Sequence, residues 1–316
     1  MQPGSAAPER IEKLSESIFK LGPLGDPKVL CSYLIIDKHI AVVDCGPAIV
    51  IDELLDLILQ CGINANDIDR LLLTHIHLDH AGGTAKFLRR FPNAKVSVPR
   101  RGYKHLIDPS ALNPSAKAIL GDLFDYWGGA EPVPEDRVSS MESEEKVNLG
   151  GDSVRYIEAR GHAPHHDVLL LEGPETLFAA DSLGIHDDKV TRFVSPTTPP
   201  PSFNLDQEFR DIEMIRGLDP KLVCLAHFKA LRPSVAFYDM VGNVYKTWEK
   251  KIADYLAAME AQGRSELSTQ DSEAIYARLA LDYPAYLEIP ERLKQQVKRV
   301  DVAGFVQWFR YRAGRA

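Results

Sequence analysis

Two kinds of hydrophobic pattern alternate along the first two thirds of the chain. Short runs rich in β-branched residues predict strands, whereas longer stretches with apolar residues three or four positions apart predict amphipathic helices. The predicted strands lie at 29–37, 40–46, a short run ending at Leu73, 94–98, 154–159, 167–173, 175–181 and 221–227, and the predicted helices at 51–62, 83–91 and 101–127. Strands that alternate with helices indicate an α/β domain.

The pattern changes near Arg232, after which the chain is almost wholly helical. We therefore predict an α/β domain over residues 1–232 and a helical appendage over residues 233–316. The interval 184–204 is rich in Pro and is predicted to be a loop, because Pro cannot pair within a central strand.

The composition limits the compartment and the partners. With 316 residues, 45% of them hydrophobic, the chain can bury a sizeable core. No segment matches a signal peptide or a membrane span, and the four scattered cysteines form no C-x-x-C pair, so we expect a cytoplasmic protein with reduced thiols. A net charge of −8 argues against nucleic acid, because affinity for polyanions comes mostly from Lys and Arg. A small-molecule substrate is expected instead, and the chain can form a homo-oligomer or act as a monomer.

The last segment is basic, against the overall charge balance. Its cations are Arg292, Lys294, Lys298, Arg299, Arg310, Arg312 and Arg315. A solvated face of an amphipathic helix is the simpler explanation, and a subsite for an anionic substrate or cofactor is the alternative.

The strongest local signal is the stretch LLLTHIHLDHAGG at residues 71–83. Three His and one Asp at the offsets of H-x-H-x-D-H would occur by chance in on the order of one chain in a thousand of this composition. Side chains two positions apart project to the same side of an extended backbone, so His75 and His77 can bind one metal. The chain then turns at Asp79 and His80, whose side chains reach a neighbouring point where a second metal can bind. The two glycines that follow allow a sharp turn close to the site.

Further candidate ligands each stand just past the last apolar residue of a predicted strand. They are His162, Asp181 and His227. A single His in such a place is more often a surface or capping residue. In a sandwich whose strands end at one rim, however, several such residues converge above the sheet edges, which favours a shared site.

These residues resemble the metallo-β-lactamase superfamily. The similarity lies in THIHLDHAGG (74–83), ARGHAP (159–164), LFAADSLG (177–184) and CLAHF (224–228), with VVDCG (42–46) similar to the family's early Asp motif. The resemblance implies an αββα sandwich with its metals at one rim, a catalytic domain over residues 1–232 and a substrate-side appendage over residues 233–316. It also implies two ligand sets, bridged by Asp181: His75, His77 and His162 for one metal, and Asp79, His80 and His227 for the other. Asp44 is implied to order the ligand loop without touching a metal.

Imidazole and carboxylate ligands without thiolate suit Zn²⁺, with Fe or Mn as alternatives. Two such cations share a water and lower its pKa from about 15.7 toward neutrality, which gives a bridging hydroxide at physiological pH. Asp79 or Asp181 can orient this nucleophile or take up its proton. The expected activity is hydrolysis at a dinuclear site.

The superfamily catalyses several reactions, and the fold does not choose among them. Hydrolysis of a thioester or lactone is favoured, although the appendage shows no clear Arg-x-x-Lys glutathione clamp. The alternatives are a phosphodiester hydrolase acting on a small or nucleotide substrate, an iron-dependent persulfide dioxygenase, and a binding protein without catalysis. Flavodiiron relatives are disfavoured because they commonly carry Glu where this chain has His77.

Three spare histidines depart from the common family pattern: His165, His166 and His186. Loop positions without a metal role are the simpler interpretation, since two metals already have a full ligand set, and lining of the pocket is the alternative. Further candidates for the pocket wall, for which simple packing is the competing explanation, are Tyr103, Tyr126 and Phe203. The loop 184–204, the region 101–127 and the appendage are expected to frame the pocket mouth.

Overall fold

Two β-sheets lie at the centre of the chain, whose computed structural model describes residues 10–25, 28–187 and 193–314. The first sheet has seven strands in sequence order: β1 (Ile11–Lys13), β2 (Ile18–Leu24), β3 (Leu30–Ile35), β4 (Ile40–Val43), β5 (Ile68–Leu72), β6 (Lys95–Pro99) and β7 (Val138–Met141). Its first four strands are antiparallel, and the pairs from β4 to β7 are parallel.

The second sheet has six strands. They are β8 (Lys146–Asn148), β9 (Ser153–Glu158), β10 (Asp167–Leu171), β11 (Thr176–Ala180), β14 (Leu222–Leu225) and β15 (Ala230–Leu231). Only β11 and β14 pair in parallel among these described strands, so both end at the same rim. A separate hairpin joins β12 (Ile185–Asp187) to β13 (Phe193–Ser195).

Helices pack around the two sheets. In the first part of the chain they are α1 (Ile51–Gln60), α2 (Leu78–Ala81), α3 (Thr84–Arg90), α4 (Arg100–Ile107), α5 (Leu112–Leu120), α6 (Asp122–Trp127) and α7 (Leu205–Gly217). Beyond β15 they are α8 (Val235–Glu260), α9 (Thr269–Asp282), α10 (Glu291–Gln296) and α11 (Val302–Ala313), with a π-helical turn (Val297–Asp301) that joins the last two.

The strand residues alternate between two hydrophobic layers, as the period of two in an extended chain requires. Leu34 and Val42 pack outward with α1, whereas Tyr33 and Val43 pack inward against the second sheet. The rings of Tyr33 and Phe178 meet edge to face across this inner layer, with centroids 5.4 Å apart. The αββα arrangement expected from the resemblance is confirmed.

The C-terminal helices pack on the outer face of the second sheet. Trp248 of α8 and Phe305 of α11 are fully buried and have ring centroids 5.6 Å apart. Both belong to the same hydrophobic cluster as Leu177 and Leu225 of the second sheet. The helical C-terminal part is therefore present, while the domain boundary near Arg232 stays a prediction.

Two regions differ in detail from the secondary structure predicted from the sequence. The predicted helical region 101–127 is divided into three helices, with Gly121 at φ 57° between α5 and α6. Part of the predicted loop 184–204 forms the β12–β13 hairpin, which pairs only with itself among the described strands, and all four prolines of the loop follow it. No helix in the described part of the chain combines the length and the apolar character needed to cross a membrane.

Candidate metal centre

The candidate ligands lie at one rim of the sandwich, just past the ends of strands from both sheets. β5 of the first sheet ends at Leu72, and the turn that follows it carries His75 and His77. In the second sheet, β9, β11 and β14 are followed respectively by His162, Asp181 and His227. The short helix α2 holds the last two candidates, Asp79 and His80. Folding brings all seven together as two groups of possible metal ligands.

The first group consists of His75, His77, His162 and Asp181. Nδ1 of His77 lies 3.0 Å from Nε2 of His75 and 3.0 Å from Nε2 of His162. Oδ2 of Asp181 lies 3.4 Å from Nε2 of His162 and 4.0 Å from Nε2 of His75.

The second group consists of Asp79, His80, His227 and again Asp181. Nε2 of His80 lies 3.7 Å from Oδ2 of Asp79 and 3.4 Å from Oδ2 of Asp181. Nε2 of His227 lies 3.9 Å from Oδ2 of Asp79 and 3.4 Å from Oδ1 of Asp181. The carboxylate of Asp181 therefore stands between the two groups.

Both groups fit a divalent cation. Tetrahedral coordination with bonds of about 2.0–2.2 Å places neighbouring donors about 3.4 Å apart, close to the separations found within each group. Nε2 of His80 and Oδ1 of Asp181 are buried and have no hydrogen-bond partner among the described residues. A buried polar atom without a partner is costly, and a cation would satisfy both atoms. Nitrogen and carboxylate donors suit Zn, Fe and Mn, so the donor set does not fix the metal.

Burial keeps the imidazoles of the first group neutral. It lowers the pKa of His75 well below the usual range, and repulsion from the neighbouring imidazoles of His80 and His77 lowers that pKa further. Burial likewise lowers the pKa of His162 to about 3, against the attraction of Asp181. A neutral imidazole is the form that binds a metal, so these rings are ready to act as ligands.

Opposite charges face each other in the second group. Burial raises the pKa of Asp181, but the attraction of the His80 imidazolium outweighs burial and holds that pKa well below its usual range. Burial lowers the pKa of His80, but Asp181 and Asp79 outweigh burial and raise that pKa well above its usual range. A bound cation would take over the neutralisation of both carboxylates from His80.

Asp44 holds the ligand loop from below. It follows β4 with φ 51°, a left-handed backbone that is uncommon for a residue other than Gly. Its carboxylate accepts hydrogen bonds from the backbone N–H of Thr74 at 2.8 Å and from the Thr74 hydroxyl at 2.7 Å. It also lies 2.9 Å from Nδ1 of His80, which must donate because an ionised carboxylate only accepts. This bond leaves Nε2 of His80 free to face a metal.

The end of β11 is irregular, and the irregularity directs Asp181. The pairing of β11 with β14 shifts between Phe178 and Ala180, and Ala180 has φ 44°. A positive φ at a residue with a side chain costs energy and is concentrated at functional sites. The bulge takes Asp181 out of the ladder and aims its carboxylate at the rim.

Thr197 supports one candidate ligand from each of two strands. Its carbonyl oxygen accepts a hydrogen bond from Nδ1 of His162 at 2.9 Å, and its hydroxyl donates to the carbonyl oxygen of Asp181 at 2.6 Å. The positions of both ligands are therefore tied to a single residue that comes after the β12–β13 hairpin.

The neighbouring Thr198 is held in turn by the C-terminal helices. Its backbone N–H donates to Oδ1 of Asp301 at 2.9 Å, and its hydroxyl donates to the carbonyl oxygen of Asp301 at 2.8 Å. Asp301 is the last residue of the π-helical turn. We call Thr197, Thr198 and Asp301 the threonine strap, because they link the C-terminal helices to His162 and Asp181.

A cavity opens above the two groups. Its floor contains His77, Asp79, His162, Asp181 and His227. Its walls are mostly apolar and include Leu112, Ala116, Ile119, Leu120, Trp127, Pro199 and Val300. The region 101–127, the Pro-rich segment and the C-terminal part thus all contribute to the mouth of the cavity.

The three spare histidines lie outside this lining. His166 is fully buried behind the site, with Nδ1 donating to the carbonyl oxygen of Ala159 at 3.0 Å and Nε2 accepting from the backbone N–H of Asp181 at 3.4 Å. His186 is buried, with its ring centroid 5.0 Å from that of Phe237. His165 stacks beside His75, with ring centroids 6.0 Å apart.

The three aromatic candidates also lie away from the cavity that the described residues enclose. Phe203 is buried against Phe305, with centroids 5.2 Å apart. The Tyr103 hydroxyl donates to a carboxylate oxygen of Glu135 at 3.1 Å. Tyr126 lies under the guanidinium of Arg292, 4.5 Å from its ring centroid, in a neighbouring hollow. Packing explains these three residues.

The sequence analysis did not identify Thr74, the threonine strap or the apolar wall. Thr74 adjoins the histidine motif, and Asp301 is a lone acid in the apolar run VDVAGFV, so both left a weak signal. Thr197 gives no signal in the sequence, because its hydrogen bond with His162 uses the backbone carbonyl that every residue possesses.

Comparison with known proteins identifies the family. The family model of the metallo-β-lactamase superfamily matches residues 25–227. The metallo-beta-lactamase fold-containing protein of Sulfurisphaera tokodaii is 32% identical over 222 residues, which cover 68% of this chain and 78% of that protein. Its crystal structure superposes with a TM-score of 0.61, covering 72% of this chain and 86% of the other.

Two further similarities differ in extent. A metallo-beta-lactamase family protein from Thermus thermophilus shares the fold over 95% of both chains with a TM-score of 0.68, at 17% identity. Hydroxyacylglutathione hydrolase of Aeromonas salmonicida is 29% identical over 148 residues, which cover 46% of this chain and only 43% of that enzyme. The family match covers well over half of the chain, and it includes every strand end that carries a candidate ligand. The chain therefore belongs to the metallo-β-lactamase superfamily and is a hydrolase of that fold.

Proposed function

We propose that this hydrolase cleaves a carboxylic ester-type bond, in a thioester or a lactone, at a site that holds two divalent metal ions. The observation that carries the proposal is the pair of His and Asp groups that share Asp181 at the floor of one cavity. His75, His77 and His162 would hold one metal, Asp79, His80 and His227 the other, and Asp181 both. The similarity to hydroxyacylglutathione hydrolase, an enzyme named for cleaving such a bond, supports the reaction class.

Bound divalent cations supply Lewis acidity, which polarises a carbonyl oxygen and lowers the pKa of water. The chain's own residues do the rest. Asp79 lies on the floor with its side chain 12% exposed, so it can take a proton from the attacking water and pass it to the leaving group. Thr197 and Asp44 fix the ligand rings, so little reorganisation accompanies the reaction.

The lining of the cavity favours a neutral ester over a phosphodiester. Among the described residues that line it, none is Lys or Arg, so beyond the candidate metal ligands no cationic side chain can pair with a phosphodiester. An ester or thioester group needs no such partner, because it carries no net charge before the transition state.

The test is a substrate screen on protein loaded separately with Zn²⁺, Mn²⁺ and Fe²⁺, with metal content measured by elemental analysis. We expect close to two metals per chain and hydrolysis of thioesters or lactones well above that of phosphodiesters and β-lactams. Asp181→Asn removes the carboxylate that the two groups share. It should therefore lower the metal content, and it should lower kcat/KM by at least about 100-fold. Asp125→Asn, on the exposed face of α6, is the matched control.

Three results would overturn the proposal. They are a fully loaded protein with one metal, a faster reaction with phosphodiesters than with any ester, and oxygen-dependent consumption of a persulfide by the iron form.

A further inference from the structure

The helices α5 and α6 lie over the metal centre without burying any residue completely. α5 nevertheless has an apolar stripe at helical spacing, formed by Leu112, Ala116, Ile119 and Leu120. A surface helix normally packs such a stripe against the core of its own protein. Here all four residues line the cavity, and only Leu112 among them also packs against the hydrophobic layer outside the first sheet, so most of the stripe faces the cavity.

Apolar groups also form the other walls of this space. Trp127 of α6 continues the stripe, and Val300 faces it from the π-helical turn. The polar groups of the cavity are concentrated at the floor with the candidate ligands and around Thr197, Gln296 and Asp301. A molecule that fills the cavity therefore needs a polar reacting group at the floor and an apolar group along α5.

We infer that the cavity between α5, α6 and the π-helical turn binds the aliphatic acyl group of the substrate and selects esters and thioesters with medium-length acyl chains. The inference rests on the proposed function for its reacting group. The apolar stripe that lines the cavity runs from Leu112 to Leu120, about 12 Å along the axis of α5, which is longer than an acetyl group.

The charge of the walls assigns this cavity to the acyl half of the substrate. The thiol half of a biological thioester is polar and commonly anionic. The described lining residues include no Lys or Arg that could pair with such a group. An alkyl chain, in contrast, removes apolar surface of both partners from water.

Burial of one methylene group contributes about 0.8 kcal/mol, which corresponds to about a fourfold change in an equilibrium or rate ratio. We therefore expect kcat/KM to rise by up to about fourfold for each methylene added to the acyl chain until the cavity is full, and then to level off or fall. Lengthening the alcohol or thiol half at a constant acyl group should have a much smaller effect.

The experiment uses two ester series on the metal-loaded protein, one that varies the acyl chain and one that varies the alcohol. Ala116→Trp fills the cavity from α5 and should lower the ratio of long-chain to short-chain kcat/KM at least tenfold. Ile119→Ala removes an apolar side chain that would contact the acyl chain, so it should lower the same ratio severalfold. Ser115→Trp adds an indole to the exposed side of the same helix and is the matched control.

A binding measurement gives a readout that does not depend on turnover. Linear carboxylates of increasing length, which are the expected products, are titrated into the metal-loaded protein by calorimetry. Affinity should rise with chain length in the wild-type protein and in Ser115→Trp, and should stop rising early in Ala116→Trp.

The outcomes separate this inference from the proposed function. If esters are hydrolysed with no dependence on acyl length, or with dependence on the alcohol only, the acyl assignment is wrong while the proposed function stands. If no ester is hydrolysed but carboxylate affinity still rises with length and responds to Ala116→Trp, the apolar site stands and the proposed reaction is wrong. If neither hydrolysis nor binding depends on acyl length, the inference is overturned.

Discussion

Three of the five candidate ligand rings are held from behind by a specific hydrogen-bonding group. Asp44 lies behind His80, the carbonyl oxygen of Thr197 behind His162, and the hydroxyl of Thr74 behind His75, at 3.0 Å from its Nδ1. These contacts fix which ring nitrogen carries the proton and which faces the site. The orientation of these three rings is thus set by the protein itself.

Asp44→Asn tests this support at a single residue. The amide presents a donor where Asp44 now accepts from three donors, so the Thr74 loop and the His80 ring lose part of their anchoring. We expect metal affinity at the second group to fall about 10- to 100-fold, with the affinity of the first group less affected. Competition with a chromophoric chelator measures both affinities, and two unchanged constants would show that Asp44 does not position His80.

The sequence identified those site residues whose pattern involves only neighbouring positions in the chain. The seven candidate ligands were visible because the offsets of H-x-H-x-D-H and the ends of apolar runs are properties of neighbouring positions. His166 and Phe203 were proposed for the pocket wall, but the structure places both in the interior, since a sequence does not reveal which face of a loop turns inward. Thr197 could not be found, because its contacts join positions far apart in the chain.

At the scale of elements, the threonine strap connects the π-helical turn to the rim of the sandwich. Asp301→Ala would leave the Thr198 N–H without its partner, which costs about 1–3 kcal/mol in the free energy of unfolding. It should also loosen Thr197 and weaken metal binding about tenfold. Burial raises the pKa of Asp301 well above its usual range, so the neutral Asn is a close substitute and Asp301→Asn should retain most of both properties.

Thermal denaturation and chelator competition on the two Asp301 variants distinguish a purely structural role of the threonine strap from a role in metal binding. A loss of stability in Asp301→Ala with wild-type metal affinity would mean that the strap only completes the core. Weaker metal binding that Asp301→Asn restores would show that the C-terminal helices help to position the ligands.

The start of α9 gives the stability a defined pH dependence. Hydrogen bonds from Ser268 and Arg264, and a further one from Tyr255, hold the pKa of Asp271 well below its usual range. The carboxylate therefore stabilises the folded chain fully above the pKa of the unfolded state, about 4, and this contribution is lost as the pH falls toward the lower folded pKa. The gap in Tm between wild type and Asp271→Asn should be constant from pH 5 to 7 and shrink below pH 4.

The control for this measurement is Asp254→Asn on α8, an exposed residue paired with Lys250. Its Tm should follow the wild type at every pH. If the gap for Asp271→Asn stayed the same at pH 3, the capping interaction would not depend on an ionised carboxylate.

The longer hydrophobic runs predicted their strands correctly, but seven of the described strands were not predicted: β1, β2, β7, β8, β12, β13 and β15. Each predicted strand is present because its hydrophobic run is buried on both faces of the sheet, as β3 and β10 show. β1 escaped notice because it is only three residues long and none of them is buried. α7 was also missed, although Leu205, Phe209, Ile212 and Ile215 have the spacing of an amphipathic helix.

At the scale of the whole molecule, the C-terminal helices and the second sheet share one hydrophobic cluster. Residues 1–232 alone would expose the outer face of that sheet, so we expect this fragment to lack a cooperative thermal transition by near-ultraviolet circular dichroism. Trp248→Ala in the full chain should be milder, with a loss of about 3–5 kcal/mol in the free energy of unfolding. Cooperative melting of the fragment would instead support residues 1–232 as an independent domain.

The two helices above the candidate metal centre, α5 and α6, line the cavity but contribute no fully buried residue. Amino acid changes along the α5 stripe therefore cost little folding stability, whereas changes in the sheets disturb packed layers. Selection can act on substrate range at these positions while the metal centre and the sandwich stay intact. A directed-evolution library confined to Ala116, Ile119 and Trp127 should yield mostly folded, metal-binding variants with altered substrate preference.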